Sequence, residues 1–269
     1  MINKNNFREI MDVNSALLPR IRSRVEKTRD QSILFKYAPV EHIKAVLSKE
    51  AQVLQFPSKS NTYGGMVLYR NNRFYIHINT AQPKIYENLM WVHEYYHFTY
   101  EADQIKNSKS QTFFEDSLLN ERERAANLFA AELIIDTNLL SESFGMMRSL
   151  HPSESEEKLV MRLIPRFEIP YKAIVIKLAQ ENLISMEKAE EIIDFEYKKH
   201  LPSDFDQTLI QPTMAVQLNN LAELLRNEEL TENLRKSELK SFLNRFNKHS
   251  SYLMSMRESK ERKEDIGSY

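Results

Sequence analysis

The chain has 269 residues, 42% of them apolar, with four glycines and no cysteine. This composition predicts a helix-rich globular protein with a substantial core. It excludes disulfides and thiolate metal sites, so a metal would have to rest on His and carboxylate ligands. With 37 basic and 38 acidic residues there is no basic excess to hold nucleic acid or an anionic membrane.

The N-terminal MINKNNFREIM lacks the apolar stretch of a signal peptide, and no apolar run is long enough to cross a bilayer, so a cytoplasmic location is expected. In residues 5–30, Phe7, Ile10, Met11, Leu17, Leu18, Ile21 and Val25 recur at three- and four-residue steps, predicting one or two amphipathic helices. Pro39 followed by VEHIKAVLSKEA starts a further helix, and QFPSKSNTYGG is turn chemistry.

MVLYRNNRFYIHINT then reads as a hairpin turning at Asn71-Asn72, with Phe74, Ile76 and Ile78 on one strand face and Tyr75, His77 and Asn79 on the other. Helical periodicity runs from Lys84 to about Glu101, DQIKNSKSQT reads as a loop, and LNERERAANLFAAELII is a helix over 119–135. Asp136-Thr137 looks like the cap of the next helix. Three helical segments follow over 155–197, broken around Pro165 and at FEIPY. The division expected is a domain over 1–200, a linker over 201–213, a helical C-terminal region over 214–256 and a disordered tail over 257–269.

WVHEYYHFTY places His93, Glu94 and His97 on the Lys84 helix. Positions i and i+4 lie one turn apart, so both imidazoles can reach one metal ion while Glu94 stands beside that face. A catalytic zinc takes three protein ligands and activates a water, whose proton Glu94 would accept and pass to the leaving amine. The pattern is short, so the decisive requirement is a third ligand.

Two residues compete for that place. Asp103 falls where an extended motif would put a ligand, but Tyr100 replaces the glycine that would turn the chain toward it. Glu123 shares a helix face with Ala126, Asn127 and Ala130, and the two alanines would allow a close approach to the motif helix. Glu121 lies about 200° away around that helix and Glu132 is more than two turns on. Glu121, Arg122 and Arg124 fit a solvated charged face. His77 could line the cleft, though an ordinary strand histidine is the more common case. Tyr95 and Tyr96 could donate to an oxyanion, with core packing favoured for at least one of them.

A hairpin ending in Ile-Asn, a helix with HExxH and a second helix reading E-x-x-A-N-x-F-A-x-x-L resemble the ImmA/IrrE family of metallo-endopeptidases over roughly residues 40–180. The resemblance implies metal ligation by His93, His97 and Glu123, with Glu94 as catalytic base. The ion would be zinc, with manganese or iron able to accept similar ligands. It also implies a protein substrate, a helix-turn-helix transcriptional repressor, and a small winged-helix-like part at about 155–200. The chain departs from the family at Tyr95-Tyr96, where Leu-Gly is frequent, and at Ile135-Asp136, where Met-Pro is frequent.

The expected fold is therefore α+β: a mainly helical metalloprotease core with a small antiparallel sheet beside the motif helix, and a helical C-terminal region. The expected function is a zinc-dependent endopeptidase acting on a repressor. The alternative is a non-proteolytic, metal-binding module that sequesters a repressor or other partner. Neither involves direct binding to nucleic acid or membrane.

Overall fold

The computed structural model describes residues 2–58, 64–107 and 120–218, with residues 240, 241, 244, 248 and 251–255 beyond them in helical conformation. Most of the expected C-terminal helical region, the whole 257–269 tail, and residues 59–63 and 108–119 lie outside the described residues.

Helix α1 (Phe7–Arg29) is one continuous helix through Pro19, whose ring lies on the exposed side. A single turn, α2 (Leu34–Tyr37), leads to α3 (Pro39–Glu50), where Pro39 occupies the first turn and needs no hydrogen-bond donor. Strands β1 (Gln52–Phe56), β2 (Gly65–Arg70) and β3 (Arg73–Asn79) follow.

The β2–β3 hairpin has the expected register, Arg70 opposite Arg73, and turns at Asn71 and Asn72 with φ of 51° and 58°. Asparagine tolerates that left-handed conformation, which a two-residue hairpin turn requires. The sheet is larger than the expected hairpin and is mixed. Strand β1 pairs in parallel with β3, Val53 beside Ile76, and a short β4 (Gln217–Leu218) pairs antiparallel with β1. The order is β2-β3-β1-β4, which leaves β2 at an edge.

Helix α4 (Lys84–Tyr100) carries the motif, and Pro83 precedes its first residue. The segment after it, expected as a loop, begins instead with a short helix, α5 (Ala102–Asn107). Helix α6 (Glu121–Ile134) is capped by Asn120, whose side chain accepts from the Arg122 N–H. Helix α7 (Thr137–Leu150) is capped by Asp136, as the sequence predicts.

Four helices, one more than expected, complete the region to residue 197: α8 (Glu156–Arg162), α9 (Ile164–Phe167), α10 (Tyr171–Gln180) and α11 (Met186–Ile192). Pro165 does not merely interrupt a helix; it sits in the first turn of α9. Among the described residues 155–200 there is no strand to form a wing.

Two apolar clusters hold the molecule. One gathers Leu17, Ile21 and Val25 of α1, Ile43 and Leu47 of α3, Ile76 and Ile78 of β3, and the inner faces of α4 and α6. The other gathers Phe7 and Met11 of α1 with α7 to α11. Helix α1 therefore contributes to both. Residues 201–218, within which the linker is expected, lie against the body: Phe205, Leu209 and Met214 are buried. The N–H of Lys84 donates to the Gln211 carbonyl, and the N–H of Met214 to that of Thr80. Apolar side chains spaced along that stretch give it a reason to stay down.

Candidate metal centre

Helix α4 is nearly enclosed, so its polar residues are buried with it: His93 is 5% exposed, Glu94 3% and His97 7%. Buried groups of this kind require partners. The partners are each other and helix α6. Ala126 and Ala130, on the Glu123 face of α6, are buried, and their small side chains permit the close approach to α4 expected from the sequence.

At that junction Nε2 of His93 stands 3.1 Å from Oε2 of Glu123, and Nε2 of His97 stands 3.6 Å from Oε1 of Glu123. The two Nε2 atoms are 3.0 Å apart. A tetrahedral ion with bonds of about 2.0–2.1 Å spaces its donors by about 3.3 Å, so the three groups fit one divalent cation. Glu123 keeps 40% of its side chain exposed, which leaves the centre reachable from solvent on that side.

Each imidazole is held from behind. Nδ1 of His93 lies 3.1 Å from Oδ1 of Asn127, and Nδ1 of His97 lies 2.8 Å from Oε2 of Glu101. With Nδ1 engaged in a hydrogen bond, Nε2 is the nitrogen left for a metal. The same Glu101 oxygen accepts from Nε and Nη2 of Arg122, at 2.9 and 2.6 Å.

The electrostatics match. Burial alone would lower the pKa of His97, but the carboxylates of Glu101 and Glu123 outweigh it and raise it to about 10. Burial would raise Glu123, yet hydrogen bonds from His93 and His97 hold it well below the usual carboxylate range. The surroundings thus favour positive charge between the imidazoles. Glu94 goes the other way: desolvation pushes its carboxyl up, more than the neighbouring imidazoles pull it down. A carboxylate raised by burial is a competent proton acceptor near neutrality.

Glu94 also touches the sheet. It packs against Gly65, the first residue of β2. The Asn79 N–H donates to the Gly64 carbonyl, so antiparallel alternation directs the backbone groups of Gly65 and Val67 outward. No described strand pairs with that edge.

The other candidates lie elsewhere. Asp103, the rival third ligand, is 92% exposed in α5. Glu121 pairs with Arg20 at the surface, and Glu132 is buried against Lys177. His77 stacks on Phe56 at 3.8 Å and its Nε2 meets the Phe56 carbonyl. Tyr95 and Tyr96 are both core residues, 3% and 1% exposed; Tyr95 stacks on Phe129 and the Tyr96 hydroxyl meets Arg24.

The charged face read on α6 needs correction. Arg122 reaches Glu101, and Arg124 is buried, 4% exposed, donating twice to Oδ1 of Asn14. Glu101, Asn127 and Arg122 are the functional neighbours that sequence reasoning missed. A signal existed for two of them: Glu101 is four residues after His97, and Asn127 four after Glu123.

The model of the Peptidase_M78 family, described as an IrrE N-terminal-like domain, matches residues 50–179. Those residues belong to that family. The IrrE-like domain begins at the end of α3 and ends within α10, so it contains β1 to β3 and both helices of the candidate centre. This is the peptidase family expected from HExxH and ExxANxFA. No curated protein and no solved structure matches the chain.

Proposed function

We propose that this protein is a zinc-dependent endopeptidase of the cytoplasm that cleaves a regulatory protein, a helix-turn-helix transcriptional repressor. His93, His97 and Glu123 would hold the metal and Glu94 would act as the catalytic base. The observation that carries this reading is the convergence of Nε2 of both histidines and the Glu123 carboxylate within 4.8 Å, in a domain of a peptidase family.

Zinc bound there would polarise the peptide carbonyl and make a water acidic near neutral pH. The chain's own residues supply the rest. Asn127 and Glu101 hold the imidazoles in place. Glu94, buried and pushed up by desolvation, takes a proton at its carboxylate and returns it to the leaving amine. The outward backbone groups of Gly65 and Val67 beside Glu94 suit an extended polypeptide, which could hydrogen-bond along the strand edge. The repressor as substrate follows from the resemblance to the ImmA/IrrE family.

The test is digestion of a purified helix-turn-helix repressor offered as substrate. Discrete fragments should appear with wild type, disappear on chelation, and be lost in Glu94→Gln while that variant still binds metal. Equal cleavage by Glu94→Gln would refute the assignment of the base. Binding of the repressor without fragments would favour sequestration.

A further inference from the structure

We propose that Glu101 and Arg122 form a positioning pair that fixes His97 for metal binding and ties the helix carrying Glu123 to the helix carrying the histidines. The proposal rests on the metal-centre reading above.

Glu101 is the residue at which α4 ends, and its side chain is 8% exposed. A carboxylate withdrawn from water is costly unless well paired. One oxygen, Oε2, meets three nitrogens from two residues: Nδ1 of His97 at 2.8 Å, and Nε and Nη2 of Arg122 at 2.9 and 2.6 Å. His97 therefore cannot rotate about its ring axis without breaking a charge-assisted hydrogen bond inside the protein. Its Nε2 stays directed at His93 and Glu123.

Arg122 adds a constraint between helices. It immediately precedes Glu123 in the first turn of α6, and its own N–H is held by the Asn120 cap. Its guanidinium grips Glu101 with two donors, which gives direction as well as energy. The end of α4 and the start of α6 are thus joined through one carboxylate, close to where their ligands meet. His93 is held differently, by the neutral amide of Asn127 at 3.1 Å. The His97 side alone has a chain of alternating charge leading to the half-exposed Arg122.

The experiment measures Zn²⁺ affinity by competition with a chromophoric chelator, with thermal unfolding to verify folding. Glu101→Ala should weaken binding about 10- to 100-fold, as loss of a partner behind a metal-bound histidine does, and Glu101→Gln less. Arg122→Ala should lose part of that amount and Arg122→Lys recover some of it. The double variant Glu101→Ala/Arg122→Ala should bind no more weakly than Glu101→Ala, because Arg122 acts through Glu101.

Folded Glu101→Ala with wild-type affinity, or losses that add in the double variant, would overturn the proposal. Should Glu101→Ala fail to fold, Glu101→Gln and Arg122→Ala decide it on the same criterion. Wild-type zinc affinity in Glu123→Ala would remove the metal centre and this role with it. Loss of binding in Glu123→Ala, with full affinity in the Glu101 and Arg122 variants, would remove the positioning role alone.

Discussion

Gly65 and Glu94 are in contact across the junction of sheet and helix: a Cβ on Gly65 would stand 2.6 Å from Oε1 of Glu94, 2.9 Å from its Cγ and 3.0 Å from its Cδ. The glycine is required by this approach and not by an unusual backbone angle, since its φ is not positive. Gly65→Ala should push the carboxylate aside at a cost of about 1 kcal/mol, because the opposing atoms end a flexible side chain. Turnover should fall about 100-fold, the usual penalty for a misplaced reacting group. Zinc affinity should not change. Undiminished peptide cleavage by a folded Gly65→Ala protein would contradict the part given to Glu94.

Removing the metal should destabilise the whole domain. A ligand held at about 100 times its dissociation constant contributes about 2.7 kcal/mol. A chelator should therefore lower Tm by about 5–10 °C. In Glu123→Ala the response should vanish. An equal shift in wild type and variant, followed by calorimetry or circular dichroism, would place the bound ion elsewhere.

Acid should weaken the fold through His77. Burial is the main influence and lowers its pKa to about 4, against the opposing hydrogen bond to the Phe56 carbonyl. The unfolded chain, at about 6.5, then binds the proton more tightly than the folded one. The contribution is complete above about pH 6.5 and is lost as pH falls toward 4, amounting to about 2–3 kcal/mol at pH 4.5. Urea midpoints at pH 7 and 4.5, measured in chelator, should differ by that much less in His77→Gln. The same acid loss in both proteins would show that another group is responsible.

Lys177 provides a test of the second half of the domain. Its side chain is 1% exposed and its ammonium meets Glu132 of α6 and Glu181 at the end of α10. Glu132 also receives Gln180 and Arg22. Lys177→Met should cost about 3 kcal/mol by leaving buried carboxylates short of charge, with part recovered in Lys177→Met/Glu132→Gln. Denaturant unfolding reads this directly, and a loss below about 1 kcal/mol would mean that Arg22 and water already suffice.

What the sequence revealed was local. Asn71-Asn72 between alternating apolar residues announces its hairpin, and His93 to His97 is a matter of helical spacing. Glu123 was legible because small residues on its face imply a close neighbour. Strand β1 was not: only Val53 of QVLQF is buried, and its partner β3 is reached by a parallel pairing across an intervening strand. Arg124 illustrates the same limit. Its charge looks like surface, and only the fold reveals Asn14, 110 residues earlier, as its acceptor. Glu101 looked like an ordinary helix end, because its role depends on an arginine from another segment.

The first turn of α6 touches four different things in four successive residues: Glu121 meets Arg20, Arg122 meets Glu101, Glu123 meets the histidines and Arg124 meets Asn14. Each residue advances a helix by about 100°. An insertion upstream of Asn120 could leave that angular pattern intact, whereas a single residue inserted between Arg122 and Asn127 would turn the downstream positions out of phase with everything they serve. Length changes in this protein should accordingly be tolerated ahead of the helix and refused within its opening turns.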